Sequence, residues 1–113
     1  MLTIDVLNEL GADTKSGLAR CLDNEEFYLR MVTMALKDDG YERLKAAVEA
    51  GDLNEAFERA HALKGVLGNV SLDNLAAPVI TITEELRAKK EMDYSAILDQ
   101  IFTELGKLRA LID

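Results

Sequence analysis

The residues able to do chemistry cluster in one stretch, Ala60-His61-Ala62-Leu63-Lys64-Gly65-Val66-Leu67-Gly68-Asn69, which holds the only histidine of the 113-residue chain. On a helix, His61, Lys64, Gly65 and Gly68 fall at i, i+3, i+4 and i+7 and line one side. A neutral imidazole nitrogen is a competent nucleophile toward phosphorus. The phosphoryl group it gains carries negative charge that the Lys64 ammonium can hold through charge-assisted hydrogen bonds. Glycine inside a helix costs roughly 0.8 to 1 kcal/mol relative to alanine, so Gly65 and Gly68 together cost about 2 kcal/mol unless bare backbone is needed there. Gly65, with no Cβ, lets another protein's active site approach the imidazole. The stretch offers a nucleophile and a charge clamp but no evident general base or metal, so a partner has to complete the chemistry.

The elements that must position these residues read as an all-α protein. There is one proline, little β-branching outside Val79-Ile80-Thr81-Ile82-Thr83, and abundant Ala, Leu, Glu and Lys. Ile4, Leu7 and Leu10 mark a short first helix ending at Gly11. A second follows Asp13 or Thr14 and carries Leu18, Cys21 and Leu22. Asp23-Asn24 caps a third, with Glu25 and Glu26 at its positive end and an apolar stripe of Phe27, Tyr28, Met31, Val32, Met34 and Ala35 that runs to about Leu36. Lys37-Asp38-Asp39-Gly40 closes it. From Tyr41, Leu44, Ala47 and Val48 mark a fourth helix that Gly51 stops.

Asp52 then opens the histidine helix near Leu53, with Glu55 at capping-box spacing. Its apolar face is Leu53, Ala56, Phe57, Ala60, Leu63 and Leu67, and His61 falls roughly 105° from the centre of that stripe, at the edge of the core. Ser71 is expected to cap the next helix, whose Leu75, Val79, Ile82 and Leu86 repeat through about Lys90. Val79 to Thr83 could form a strand, but no second strand-like segment exists to pair with it. Pro78 predicts a kink, or a break restarting the helix around Ala77. Asp93 or Ser95 caps the last helix, whose face runs from Tyr94 through Ile97, Leu98, Ile101, Phe102, Leu105 and Leu108 to Ile112.

These residues bring out a family. His61-Ala62-Leu63-Lys64-Gly65 followed by Gly68-Asn69 resembles the core motif of histidine-containing phosphotransfer (HPt) domains of multistep two-component signalling, most sharply from about Ala47 to Leu75. The resemblance implies an antiparallel four-helix bundle with additional short N-terminal helices. It implies an exposed His61 that takes a phosphoryl group from one receiver-domain aspartyl phosphate and passes it to another. The partners are then receiver domains of response regulators and hybrid histidine kinases. By the same likeness Lys64 steadies the phosphate, Gly65 and Gly68 leave room for the receiver, and Glu58, Ala62, Gly65 and Asn69 surround the docking site, aided by the N-terminal helices. The chain departs from the family at Val66, where many members carry a small polar residue, and at Thr83, where some place a histidine-orienting Gln. Gly68 can equally serve close helix packing.

Composition narrows the alternatives. The net charge is −8, with 21 acidic against 13 basic residues, which disfavours a nucleic-acid partner. No apolar run approaches the roughly 20 residues that span a bilayer. The N-terminus shows no secretory signal, so a cytoplasmic, monomeric, single domain over residues 1–113 is expected. Cys21 stands alone, as a small buried hydrophobe without disulfide or cysteine-zinc chemistry. The aromatic residues are expected in the core. Glu58-Arg59-Ala60-His61 has the E-x-x-H spacing of di-iron bundles, but those need two such motifs and two further glutamates, which one histidine cannot supply within a monomer. No metal or cofactor is therefore expected. No phosphate-cradling Gly-x-x-x-x-Gly-Lys-Ser/Thr loop is present, so autophosphorylation from ATP is not expected. The alternative function is a helical interaction module that docks on signalling proteins without moving phosphate.

Overall fold

The computed structural model describes residues 1–112, and among them the chain forms seven helices and no strand. These are α1 (Ile4–Glu9), α2 (Thr14–Arg20), α3 (Glu25–Lys37), α4 (Gly40–Glu49), α5 (Leu53–Val70), α6 (Asp73–Arg87) and α7 (Ser95–Arg109). Four starts are fixed by local chemistry: Thr3, Asp13, Asn24 and Asp52 each accept a hydrogen bond from the backbone N–H three residues on, at 3.0 to 3.1 Å. Each cap satisfies a donor that the first turn leaves without an intrahelical partner.

Helices α4 to α7 form the bundle. Short connections turn α4 into α5 and α5 into α6, so each packs beside its predecessor, and α7 packs along α6. The ring closes between α7 and α4. The Lys45 ammonium lies 5.4 Å from the Phe102 ring centre, and Arg109 donates to both Glu42 carboxylate oxygens at 2.8 and 3.4 Å. Helix α3 packs across α5 and α7, while α1 and α2 follow on with α2 against α5. The bundle with additional short N-terminal helices is thus the observed architecture.

Ala56, Ala60, Leu63 and Leu67 of α5 are buried, as are Leu75, Val79, Ile82 and Leu86 of α6 and Leu98, Ile101, Leu105 and Leu108 of α7. Cys21 is buried too. The stretch that could have been a strand is the middle of α6. Helix α6 also runs through Pro78 without the restart expected around Ala77. Proline there removes one ladder bond, and its ring is buried on the same side as Leu75, Val79 and Ile82.

Other expectations change. Ser71 does not cap α6. It terminates α5 in the left-handed region, φ 55 and ψ 39, and its buried hydroxyl accepts from Arg20 at 2.9 Å. Helix α6 starts with no side-chain cap, because the two helices are separated only by Ser71 and Leu72 and the turn itself claims the serine. Leu22 leaves the apolar face of α2: the helix stops at Arg20, and Leu22 adopts φ 55 and stands in solvent. Gly40 belongs to the start of α4 and does not close α3. Asp38 makes the break with ψ 133, and its carboxylate accepts from the Gly40 N–H at 2.7 Å. A Cβ on Gly40 would lie 3.0 Å from Leu63 Cδ2, so glycine lets α4 begin hard against α5. At α7 neither Asp93 nor Ser95 takes the cap position: Tyr94 holds it with no side-chain cap bond, Asp93 just before it accepts from both the N–H and hydroxyl of Ser95, the first helical residue, and Ile112 lies beyond the helix.

Candidate functional site

His61 sits near the middle of the 18-residue α5. The Asp52 cap and the buried run Ala56, Ala60, Leu63, Leu67 fix which side of α5 meets the bundle, and the 3.6-residue period then turns His61 outward. The imidazole is exposed, together with Glu58, Ala62, Gly65, Gly68 and Asn69; Lys64 is half-buried. The structure therefore brings the histidine, the lysine, both glycines and the docking candidates onto one open side of one helix. The capping box is half realised: the Glu55 N–H donates to the Asp52 carboxylate, but the Glu55 carboxylate turns to Arg59 at 2.9 Å.

Packing among the described residues does not explain either glycine. A Cβ built on Gly65 or Gly68 meets no neighbouring atom within 4 Å. The close-packing reading of Gly68 is thereby corrected: the side on which its Cβ would stand is open, and Arg20 of α2 meets it at the carbonyl. Gly106 in α7 is equally unobstructed, so openness alone does not mark a site; what distinguishes Gly65 is its place one turn beyond an exposed imidazole. Lys64 takes part in none of the ion pairs formed among the described residues, which leaves its ammonium uncommitted. No group of three His, Cys, Asp or Glu among them is placed to hold a metal ion, and no helix is long and apolar enough to cross a membrane.

Thr83 does not orient the histidine in this structure. Its side chain is fully buried and its hydroxyl donates to the Val79 carbonyl at 2.6 Å, one turn back on its own helix. A threonine is too short to reach past the core and instead satisfies itself on the local backbone. The imidazole lies against Phe57, with ring centres 5.5 Å apart and planes inclined by 21°. Arg87, at the end of α6, places its guanidinium carbon 5.0 Å from the Phe57 ring centre and pairs with Glu84 at 3.2 Å. Sequence reasoning placed Phe57 in the core and gave Arg87 no part; the i, i+4 spacing from Phe57 to His61 was the available signal.

The α3 stripe also differs from expectation. Phe27 and Met34 are exposed, at 43% and 60%, because α3 meets the bundle chiefly along the buried Tyr28, Val32, Ala35 and Leu36, with Leu29 and Met31 partly buried beside them. Two shallow grooves lie between α3 and α5. One is lined by Met31, Met34, Ala35, Asp38, Val66, Asn69 and Val70, the other by Arg20, Cys21, Phe27, Met31, Asn69 and Val70. Val66, where many members of the resembled family carry a small polar residue, contributes to this apolar surface. Asn69 joins it to the histidine side of α5.

Compared with known proteins, the chain matches the family model of the Hpt domain over residues 33–112, from the later part of α3 to just beyond the end of α7. No match was found among curated proteins or solved structures.

Proposed function

Because this chain belongs to the Hpt domain family, whose members carry phosphoryl groups in phosphorelays, we propose that His61 is its phosphoacceptor, loaded by a receiver-domain aspartyl phosphate and unloaded onto another receiver. The observation that carries this reading is the single exposed imidazole on α5 with an unpaired lysine one turn away and bare backbone beside it. The in-plane lone pair of a neutral imidazole nitrogen attacks phosphorus. An N–P bond forms, the bond from phosphorus to the aspartyl oxygen breaks, and the receiver's carboxylate leaves with the electron pair. Lys64 neutralises part of the charge on the bound phosphoryl group. Unloading is the reverse step on a second carboxylate. No ATP enters, in keeping with a carrier in place of a kinase.

The receiver docks over the histidine side of α5, touching Glu58, Ala62, Gly65 and Asn69, and extends onto the α3 ridge of exposed Phe27 and Met34 with partly buried Met31 between them. An apolar ridge beside a polar site suits a transient protein interface. The test is incubation with phosphorylated receiver domains. Wild type gains an acid-labile, alkali-stable phosphate and His61→Gln gains none. Cognate receivers that bind yet never label His61 would remove the carrier role and leave the interaction module.

A further inference from the structure

We propose that Phe57, braced by Arg87, is the residue that orients the His61 imidazole for transfer; this rests on His61 being the phosphoacceptor. An exposed histidine near the middle of a helix samples several rotamers, and a nucleophile that must meet phosphorus in line is hindered by that freedom. Side chains on a helix lean toward its N-terminus, so His61 lies over the turn that carries Phe57 and away from Gly65. The 5.5 Å separation and 21° inclination are those of offset ring stacking.

Stacking suits this task because of where the reactive electrons are. The nucleophilic lone pair lies in the imidazole plane, and a ring laid on the π face restricts the side chain without occupying a nitrogen. A hydrogen-bonding orienter acts on a ring nitrogen, and Thr83, which stands where some members of the family place such a residue, is buried and donates its only proton to Val79. Phe57 needs support because it is itself only half-buried. Arg87 gives it: the guanidinium lies 5.0 Å from the ring centre, within cation–π range, and the Glu84 carboxylate holds the arginine from the same face of α6. The brace therefore couples the end of α6 to the middle of α5, and the imidazole's orientation depends on two helices.

Imidazole proton resonances report the stack directly, and transfer from a phosphorylated receiver reports its use. In wild type the Cδ2 and Cε1 protons of His61 are shifted upfield by the Phe57 ring. Phe57→Leu moves them to the positions of an unstructured histidine and slows loading roughly five-fold, with helical content unchanged, whereas Phe57→Tyr keeps both. Arg87→Met shifts the resonances and the rate in the same direction by less, and Arg87→Lys retains most of each. Phosphoramidate, a small donor that approaches the imidazole freely, loads wild type and Phe57→Leu within about two-fold of each other. Resonances unmoved in Phe57→Leu, or moved with receiver loading at the wild-type rate, overturn the proposal. Failure of any receiver to load wild type overturns the carrier reading, and the resonances still decide whether the brace exists, so the two fail separately.

Discussion

Lys64 is half-buried, so its aliphatic stem lies along the side of α5 while its ammonium remains without a carboxylate among the described ion pairs. Removing it costs the fold little, because surface charges of this kind contribute at most about 1 kcal/mol. Lys64→Ala is expected to shorten the lifetime of the phosphorylated protein or slow its loading several-fold, with the melting temperature nearly unchanged; identical rate and lifetime would remove its role. Gly65 gives the opposite combination. A methyl group at Gly65 meets no neighbour within 4 Å, so Gly65→Ala should stabilise α5 by about 0.5 to 1 kcal/mol in urea titration. The same methyl stands where the receiver approaches, and transfer should slow. A destabilised variant with normal transfer would make the glycine structural.

Helix α5 reaches out to the site, but its ends are held by neighbours. At the start, Asp52 accepts from the Glu55 N–H at 3.1 Å. At the finish, Arg20 donates to the Gly68 carbonyl and to Ser71, while the Tyr28 hydroxyl donates to the Val70 carbonyl at 2.8 Å. These contacts satisfy carbonyls that the last turn leaves open, and they tie α2 and α3 to the part of α5 just beyond the histidine. Asp52→Ala should cost about 1 kcal/mol of unfolding free energy, a typical loss for a helix cap. Because the cap lies more than two turns from His61, the loading rate of the folded protein should be retained. A loss below about 0.3 kcal/mol would mean that Asp52 contributes no cap.

At the scale of the molecule, buried phenols link stability to alkaline pH, Tyr28 and Tyr41 most strongly, with Tyr94 raised by burial in the same direction. Burial, reinforced by the nearby Cys21 and Asp13, pushes Tyr28 from 10.0 up to about 12. Tyr41, buried beneath Arg109 and donating to the Ala35 carbonyl at 3.1 Å, is also raised. A raised phenol is neutral in the folded state at pH values where the unfolded chain has already lost its proton. The stabilisation is therefore complete below pH 10 and declines as pH climbs from 10 through about 12. Absorbance titration should find Tyr28 and Tyr41 ionising late, together with loss of helicity, and normal titration of both in the folded protein would contradict their burial. The elongated body, 42 × 24 × 19 Å, keeps these phenols in the core and the imidazole on an open flank.

The sequence by itself determined the helical class, the histidine helix from its aspartate cap onward, and the outward placement of His61, Lys64, Gly65 and Gly68. All of these follow from local spacing, since a 3.6-residue period assigns faces without knowledge of any partner element. What only the tertiary structure decided is how neighbouring helices use those faces. Phe27 and Met34 look like core until α3 is seen to meet the bundle on one narrow stripe. Ser71 looks like a cap until the turn between α5 and α6 takes it, and Thr83 looks like an orienter until its hydroxyl is found on Val79. Phe57 and Arg87 come together only because α6 packs back along α5, a contact between residues thirty positions apart that no local pattern encodes.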